Sequence, residues 1–452
     1  MSTPYKSTLR FNPATAIMLF LLPMSIILAA AITEIKWIYA AAILLAPLLI
    51  YLSFKKPFVF PLGIYAFSIP FENLLVMSGA AQGATLTRYL GILAIVSLLL
   101  KGLYEKKIKA PGKIHIWWLL FSIYCVISTL WAISGTTPSV RIVTIIGLAL
   151  LYLVATSYQA TASEYKTLKW LIFSGGLLSS VLTIIAYHQG LIDFGEVERV
   201  SLMSLDGSGI GGANKQAFDM LLPFSICLGM LFEKGKTLTK GFFLASLLLM
   251  FFGIVITGSR GGLAAAIVVL VYFIFSFKNK LKSALIGVTI LLASFAATPQ
   301  FYLDRINRSF ASHASGRFDI WHVGIMALKK YWLFGAGLDC FPNAYTEFVN
   351  YTPVFMGFDR APHNIFIGTF VELGIIGSVL FLIALYKHYF SIRPSLGKKG
   401  SDLIILSAAF WGILTGGLTQ DVIWYKSFWL LWMMILIQKN ASEYETGSLE
   451  NE

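Results

Sequence analysis

Long apolar runs separated by short polar loops dominate the pattern of this chain. A helix needs roughly 20 apolar residues to cross a bilayer. Only helices and closed barrels satisfy their backbone hydrogen bonds there. The pattern therefore predicts an all-α polytopic membrane protein. Because several runs are marginally long, we expect 12 to 14 transmembrane helices from the runs at 14–32, 37–54, 58–77, 86–103, 115–133, 139–157, 169–187, 214–232, 241–257, 262–277, 283–297, 363–386, 402–419 and 422–438.

The composition agrees with this class of protein. Hydrophobic residues make up 57% of the chain and charged residues 13%, whereas soluble domains average about 25% charged residues. The net charge of +13 is attributed to lysine-rich loops, so we expect no nucleic-acid partner. The first apolar run is long for the apolar part of a signal peptide, and we expect it to be a membrane helix. The three cysteines are too few and too scattered for a disulfide framework or a metal site.

The lysines predict the orientation of the chain. Cytoplasmic loops carry an excess of basic residues, and lysine clusters occur in alternate loops at 55–56, 101–113, 234–240, 278–282 and 398–399. Placing these loops in the cytoplasm puts both termini there. The loop around 188–213, the turn at 258–262 and the polar segment 298–362 then face outward, toward the periplasm.

The segment 298–362 is the longest polar stretch, and it divides the chain into three parts. We expect membrane helices over 1–297, a periplasmic segment over 298–362, and further membrane helices with a cytoplasmic tail over 363–452. Within the segment, Arg317 to Leu333 predicts an amphipathic helix lying in the membrane interface, with an apolar stripe of Phe318, Trp321, Ile325, Leu328 and Trp332.

The arginines do not follow the usual excess of basic residues in cytoplasmic loops. Of ten arginines, only Arg10 and Arg393 fall in the expected cytoplasmic regions. A guanidinium offers a rigid fork for phosphate oxygens, which indicates an external phosphate-binding site. The alternative is that some of these side chains snorkel or pair with acids at the interface. The outer arginines are Arg88, Arg141, Arg199, Arg260, Arg305, Arg308, Arg317 and Arg360.

His363 is the leading candidate for acid–base chemistry. Pro362 precedes it and an apolar helix follows, so it lies at a helix N-terminus, where a neutral imidazole can take a proton from a hydroxyl. The alternative is an interfacial histidine bonded to water or Asn364. Arg260 lies in a tight turn flanked by glycines that allow a close approach of a ligand. Arg317 opens a helix, where a cation is unfavourable unless an anion compensates it.

Acids within or next to apolar runs have two interpretations. Glu72, Asp219 and Glu372 would relay protons in a transporter, or would pair with Arg88, Arg141 or backbone donors. We favour pairing for Glu72 and Glu372 and leave Asp219 open. Asp421 is placed to hold His363 or an arginine.

Several motifs are absent. The chain has no D-x-D pair, no His/Cys cluster and no Walker loop, so we expect neither a metal ion nor another cofactor. The energy of a reaction would then come from an activated substrate or a gradient.

Four short motifs follow one another between about 250 and 380: Gly258-Ser259-Arg260-Gly261-Gly262, Ser315-Gly316-Arg317-Phe318-Asp319-Ile320-Trp321, Gly335-Ala336-Gly337, and Pro362-His363-Asn364 before Glu372-Leu373-Gly374. In this order, within a polytopic protein, they resemble the O-antigen ligase and polymerase superfamily. The family often has an Asp-Pro-Asn-like element before a middle helix, where this chain has Gly212-Ala213-Asn214-Lys215.

The resemblance implies a metal-independent, inverting membrane glycosyltransferase of the GT-C type in the bacterial inner membrane. The donor would be a glycan on undecaprenyl diphosphate and the acceptor the lipid A–core, with membrane lipids around the protein. Arg260, Arg317 and His363 would be catalytic. The substrate-binding residues are predicted to be Arg260, Arg317, Arg360, Arg141, Arg88, Asn364 and Asp421.

Two groups of alternatives stay open. Within the same superfamily, the chain could be an O-antigen polymerase or a protein O-oligosaccharyltransferase. In a different class, it could be a lipid-linked-oligosaccharide flippase or exporter, which should place ionisable residues along a path near mid-membrane.

Overall fold

The structure is a computed structural model that describes residues 37–76, 85–134, 138–190, 199–202, 212–233, 235–276, 280–296, 300, 316–352, 354–392 and 401–449. Over these residues the fold is helical, and the extended backbone forms only isolated bridges. Some predicted features lie outside the described residues, namely the run at 14–32, Arg10, Arg305, Arg308 and Arg393, and the lysines at 234, 278, 398 and 399.

The helices in chain order are α1 Trp37–Lys55, α2 Leu62–Ser68, α3 Leu86–Tyr104, α4 Lys113–Ile127, α5 Pro138–Ser157, α6 Ala162–His188, α7 Ala213–Asp219, α8 Leu221–Phe232, α9 Thr237–Ile256, α10 Arg260–Ser276, α11 Lys280–Ala296, α12 Arg317–Tyr331, α13 Phe341–Phe348, α14 Ile365–Ile392, α15 Ser401–Gly417 and α16 Lys426–Leu449. Short 3₁₀ turns occur at Ile69–Phe71, Ser128–Trp131, Val349–Tyr351 and Val422–Trp424.

By length and composition, six described helical segments could cross a membrane. They are Leu86–Tyr104, Lys113–Trp131, Ala162–His188, Ala213–Phe232, Thr237–Ile256 and Ile365–Ile392. Shorter apolar helices include Arg141–Ser157, Arg260–Ser276 and Asp402–Gly417. The fold is therefore that of a polytopic helical membrane protein, as the apolar runs predict.

An aromatic core joins helices that are distant in sequence. Trp118 of α4 contacts the rings of Tyr152 in α5, His388 in α14, and Trp429 and Trp432 in α16. Its indole Nε1 donates to His388 Nδ1 at 3.0 Å. His388 is fully buried, so it is a packing residue of the bundle.

One end of the bundle, the lysine end, gathers loops that were predicted to share the cytoplasmic side. Lys101 Nζ donates to the carbonyl of Lys55 at 2.9 Å. Lys169 Nζ pairs with Glu233 at 2.7 Å and with Asp402 at 2.9 Å. The C-terminal end of α8, next to Glu233, and the N-terminal end of α15, which holds Asp402, therefore lie at the same end of the bundle.

Helix α12 confirms the helix predicted from Arg317, although it has two apolar faces. One face packs inward through Ile320, Val323, Gly324, Ala327 and Tyr331. The predicted stripe is largely on the other face, where the exposed fractions are 57% for Phe318, 52% for Ile325 and 56% for Trp332. An exposed apolar face of this kind suits a helix that lies in the membrane interface.

The end of α12 is joined to α14 by main-chain contacts, which we call the glycine joint (Trp332 to Gly337 against Val371 to Ile375). The N–H groups of Ala336 and Gly337 donate to the carbonyls of Val371 and Glu372 at 2.9 and 2.8 Å. Gly374 has a φ of 62°, which kinks α14 here. A Cβ at Gly335 would lie 2.2 Å from the Glu372 carbonyl oxygen, so only glycine fits without rearrangement.

Glu372 stabilises the same region. Its buried carboxylate accepts from the N–H groups of Asp339 and Phe341 at 3.2 and 3.3 Å. The preferred interpretation of Glu372, which paired it with backbone donors, is confirmed.

Candidate active site

His363 occupies a constrained position between α12 and α14. Its φ is +46°, a left-handed conformation that is uncommon for residues other than glycine. On its N-terminal side, the carbonyl of Pro362 accepts from Trp321 Nε1 at 3.0 Å. Unusual backbone conformations persist only where the surroundings enforce them, and here α12 supplies part of that constraint.

Asn364 fixes the C-terminal side of His363. Its Oδ1 accepts from the N–H groups of Phe366 and Ile367 at 2.9 and 3.1 Å, which caps α14. Its Nδ2 donates to the carbonyl of Leu418 at 3.2 Å. Both ends of the amide are engaged by the backbone, so Asn364 positions its neighbour His363.

The surroundings of His363 favour the neutral imidazole. Burial, followed by the positive charges of Arg317, Arg199 and Arg360, lowers the pKa of His363 to about 4. The imidazole is therefore neutral near pH 7, and its unprotonated nitrogen can accept a proton. The same electrostatic interactions place three arginines around this ring.

Arg317 and Arg260 open helices α12 and α10. Burial, followed by the charges of Arg260 and Arg199, lowers the pKa of Arg317 to about 10. The residue remains protonated near neutral pH, in a concentration of like charge at helix N-termini that suits an anion. The charge of Arg260 thus acts on Arg317, and the charge of Arg317 acts on His363.

A cavity of about 560 Å³ opens beside His363. Arg88, Arg141 and Arg199 line it, together with His363 and Asp421. All six arginines among the described residues therefore line this cavity or belong to the charged group around His363. We call this end of the bundle the arginine end. It is the end at which α3, α5, α10, α12, α14 and α16 begin.

Arg141 connects the cavity to the segment between α12 and α14. Its Nε lies 3.2 Å from Asp339 Oδ1, and its guanidinium lies 4.7 Å from the ring centroid of Trp424. Both partners position the guanidinium group of Arg141 at the cavity wall. An incoming phosphate would compete with Asp339 for this guanidinium.

Asp421 is hydrogen-bonded to Trp424, the residue whose ring Arg141 contacts. Its Oδ2 accepts from Trp424 Nε1 at 2.9 Å. Burial raises the pKa of Asp421 to about 6, and the charge of Arg141 opposes that shift. Asp421 therefore supports the aromatic ring on which Arg141 stacks, in line with the expectation that it holds an arginine in place.

Arg360 and Arg88 differ in their surroundings. Arg360 is exposed, and its Nε donates to the carbonyl of Met356. It contributes to the lowered pKa of His363 from the rim of the site. Arg88 lies in the first turn of α3 and lines the cavity wall.

Two buried donors point to a ligand in the cavity. Tyr65 and Gln420 both line it and are 1% and 6% exposed. Within the described part of the chain, the hydroxyl of Tyr65 and Nε2 of Gln420 have no hydrogen-bond partner. Leaving a buried donor unsatisfied costs about 1–3 kcal/mol, so a ligand with acceptor oxygens would be stabilised there.

Residues 245–382 match the family model described as O-antigen ligase. This range holds Arg260, Arg317, Arg360 and His363 in the order that the motifs predicted. The match supports the O-antigen ligase and polymerase superfamily that the motifs resemble. No curated protein matches the chain.

The family match covers only one side of the site. The cavity residues Arg88, Arg141 and Arg199 precede the matched range, and Asp421 follows it. The rest of the candidate site therefore comes from residues outside the matched range.

Sequence reasoning missed one feature beside the candidate site, a buried ionic cluster of four side chains. Lys215 Nζ lies 2.9 Å from Glu72 Oε2 and 2.6 Å from Asp219 Oδ2. Lys426 pairs with Glu72 as well, and Ser427 donates to Asp219. Glu72 was expected to pair with Arg88, Arg141 or backbone donors. It is paired as expected, but its ionic partners are the two lysines.

The sequence signals for this cluster were Glu72 and Asp219 within apolar runs, and Lys215 at the end of the Gly212-Ala213-Asn214-Lys215 element. Lys215 and Asp219 are one helical turn apart on α7, a spacing that favours pairing. In the described part of the chain, no group of three or more His, Cys, Asp and Glu residues is arranged to hold a metal ion.

Proposed function

We propose that this protein is a glycosyltransferase that moves O-antigen polysaccharide from undecaprenyl diphosphate to the lipid A–core. The observation that carries the proposal is a neutral, half-buried His363 that feels the charges of three arginines, within the range that matches the O-antigen ligase model. A base beside an anion site is what transfer from a lipid diphosphate to a hydroxyl requires.

The transfer forms one bond and breaks one. The acceptor hydroxyl oxygen attacks the anomeric carbon and forms the new C–O bond while its proton passes to His363. The bond from that carbon to the diphosphate oxygen breaks, and undecaprenyl diphosphate leaves with the electron pair. Attack from the side opposite the leaving group inverts the anomeric configuration.

Arg260 and Arg317 would stabilise the charge that builds on the leaving diphosphate. In this proposal guanidinium groups take the place of a divalent metal ion, and no other cofactor takes part. Arg360, Arg141 and Arg88 would help to bind the phosphates, with Asp421 and Asn364 as positioning residues.

Donor binding would also tune the base. The charges of Arg317, Arg199 and Arg360 contribute to the low pKa of His363. A bound diphosphate would offset those charges and raise the pKa toward the operating pH, where a general base is most effective. The base would thus become stronger once the donor is in place.

The membrane setting completes the proposal. We propose 12 to 14 transmembrane helices in a GT-C-like arrangement in the bacterial inner membrane, with both termini in the cytoplasm. The arginine end would then face the periplasm, where the donor and the lipid A–core meet.

The test combines purified protein, undecaprenyl-diphosphate glycan and lipid A–core in the presence of EDTA. Glycosylated lipid A–core should form, and His363→Ala should reduce turnover by roughly 10²–10⁴-fold with little change in donor binding. His322→Ala is the matched control, because His322 is an exposed histidine on α12. Near wild-type turnover by His363→Ala would show that His363 is not the base.

Other products would identify other activities. Elongated glycan on undecaprenyl diphosphate would indicate a polymerase, and a glycosylated protein acceptor an oligosaccharyltransferase. Movement of an unchanged donor across a vesicle membrane would indicate a flippase.

A further inference from the structure

The chain approaches His363 through an exposed loop, residues 354–360, which we call the rim loop. It carries two phenylalanines, Phe355 and Phe358, each 61% exposed, whose ring centroids lie 5.1 Å apart at an interplanar angle of 71°. Val354 beside them is 51% exposed. Neighbouring apolar side chains that are exposed among polar residues indicate an interaction site.

Helix α13 holds the rim loop in place. Thr346 Oγ1 donates to Asp359 Oδ1 at 3.0 Å, and the N–H of Asp359 donates to Thr346 Oγ1 at 3.0 Å. Asp359 has a φ of +53°, a conformation that residues other than glycine keep only where the surroundings enforce it. The reciprocal hydrogen bonds with Thr346 supply that constraint.

The rim loop also packs against the start of α12. A Cβ added to Gly316 would lie 2.0 Å from Met356 Cε, so the methionine side chain covers the residue that precedes Arg317. Anchors on two helices thus fix the backbone that carries the phenyl rings. A surface that is ordered in advance loses little conformational entropy when a ligand binds.

Arg360 connects the rim loop to His363. Its guanidinium folds back over the loop, since Nε donates to the carbonyl of Met356 and Nη2 would lie 2.9 Å from a Cβ on Gly357. Its charge acts on His363. Phe358 precedes His363 by five residues, so their Cα atoms are at most about 18 Å apart. The aromatic pair is therefore within reach of a short oligosaccharide that ends at His363.

The rim loop has the chemistry of a sugar-binding surface. The face of an aromatic ring is electron-rich, and it attracts the polarised C–H groups on the apolar face of a pyranose. The hydroxyl groups around the pyranose need hydrogen-bonding partners. Asp359 and Arg360 follow Phe358 and are exposed, so a carboxylate and a guanidinium lie next to the rings.

We propose that the rim loop binds the glycan of the donor, with a pyranose ring stacked on the pair formed by Phe355 and Phe358. This inference rests on the proposed function, in which Arg360 helps to bind the phosphates. The glycan is joined to those phosphates, and its path out of the site passes the aromatic pair beside Arg360. The rim loop would then contribute to the choice of glycan.

The position of Arg360 favours the donor over the acceptor. The first sugars of the donor are attached directly to the diphosphate, so they lie beside any arginine that binds it. The acceptor hydroxyl attacks the anomeric carbon from the side opposite the leaving group. The acceptor sugar therefore approaches from the side away from the diphosphate and its arginines.

Other occupants fit the rim loop less well. Insertion into the bilayer would carry the neighbouring Asp359 and Arg360 toward the hydrocarbon, which is costly for charged side chains. A protein interface usually involves about 20–30 residues on each side, far more than this loop exposes. A sugar ring needs only one or two aromatic side chains and a few polar groups.

The test measures binding of the free glycan, released from the donor by hydrolysis of its link to the diphosphate. Purified full-length protein in nanodiscs is titrated with this glycan, and binding is followed by saturation-transfer NMR, which detects weak complexes. Phe358→Ala should weaken binding roughly 3- to 10-fold, and Phe355→Ala should weaken it as well. Phe358→Tyr keeps the ring and should bind like the wild type.

Phe275→Ala is the matched control. Phe275 is 71% exposed near the end of α10 that is opposite Arg260. The substitution removes a similarly exposed phenyl ring away from the rim loop, so glycan binding should match the wild type. Because all the substituted rings are exposed, every variant should keep the thermal stability of the wild type.

Three outcomes would overturn the inference. Unchanged glycan binding by Phe355→Ala and Phe358→Ala would place the glycan elsewhere. Loss of binding only for core oligosaccharide released from lipid A would assign the rim loop to the acceptor. A bimane label on Phe358→Cys that is quenched by lipids with brominated chains would place the loop in the bilayer.

Binding of the free glycan involves no transfer, so this assay is independent of the turnover test. A protein that binds the glycan through the rim loop but transfers none would refute only the proposed reaction. A protein that transfers glycan equally well with either phenylalanine removed, and binds the free glycan unchanged, would refute only the role of the rim loop.

Discussion

At the scale of single residues, His363 shows how the surroundings set the chemistry of a side chain. Its backbone is left-handed, its neighbours are anchored by Trp321 and by the Asn364 cap, and its imidazole is kept neutral by burial and by arginines. A base with so low a pKa is weak, so the proposed mechanism requires the bound donor to raise the pKa of His363.

This argument predicts the pH dependence of transfer. Activity requires neutral His363, so it falls as the pH drops through the pKa of this residue. The ratio kcat/KM reports the free protein and should fall only as the pH approaches about 4. The constant kcat reports the donor complex and should fall at a higher pH, because the diphosphate offsets the arginine charge.

Asp421 supplies the control for this measurement, because its pKa is raised to about 6. A fall in activity at low pH that is caused by protonation of Asp421 would disappear in Asp421→Asn. A fall caused by protonation of His363 would remain. Arg199→Gln should raise the pKa of His363 in the free protein. Coincident acid limbs of kcat and kcat/KM would contradict the proposed tuning by the donor.

Sequence reasoning at this scale identified residues with a local signal. Pro362, His363 and Asn364 start a helix, and Arg260 lies in a glycine-flanked turn, so each was visible within a few positions. The lining by Tyr65 and Gln420 was not visible, because an unsatisfied donor is defined by what surrounds it in space.

At the scale of elements, α7 is held by charge inside an apolar bundle. Lys215 bridges Asp219 on the same helix and Glu72 from the turn after the 3₁₀ segment Ile69–Phe71. The sequence contained the pair one turn apart, but the partner Glu72 is more than a hundred positions away. The tertiary fold therefore decides that this lysine is buried in an ion pair with Glu72.

Lys215→Met should destabilise the protein by about 3–5 kcal/mol, because it leaves the buried Asp219 without its cation and Glu72 with Lys426 alone. Equilibrium unfolding in mixed detergent micelles measures this change. Lys109→Met, at the exposed pair with Glu443, should have little effect. Adding Asp219→Leu to Lys215→Met should recover part of the loss, and a double variant no more stable than the single one would argue against an ionic cause.

For helix α12 too, the sequence pattern predicted one face of the helix, and only the fold shows the other. The sequence predicted its start at Arg317 and its apolar stripe, and the helix is observed as Arg317–Tyr331. The second, buried face was not predicted, because glycine and alanine at Gly324 and Ala327 are weakly hydrophobic. Their small size permits close packing against α13 and α14, which hydrophobicity alone does not reveal.

At the scale of the whole molecule, charge is separated between two ends. The described arginines gather around the cavity, and the ion pairs of Lys101 and Lys169 lie at the lysine end. The positive-inside tendency explains the lysines. It does not explain the arginines, whose position agrees with the anion site proposed at the opposite end.

The two ends should face different compartments. In cells, Phe355→Cys at the arginine end should react with a membrane-impermeant maleimide applied from the periplasm. Lys109→Cys at the lysine end should react only after the inner membrane is permeabilised. The native cysteines Cys125, Cys227 and Cys340 are buried, so the background should be low. The reverse pattern would invert the proposed topology.

The glycine joint has a consequence for how such a protein can diversify. It ties the end of α12, which starts at Arg317, to α14, which follows His363, and it does so through main-chain atoms. Main-chain hydrogen bonds do not depend on which side chains surround them. Substitutions in the cavity could therefore change the glycan or lipid that is accepted while the spacing between arginine and histidine is inherited unaltered.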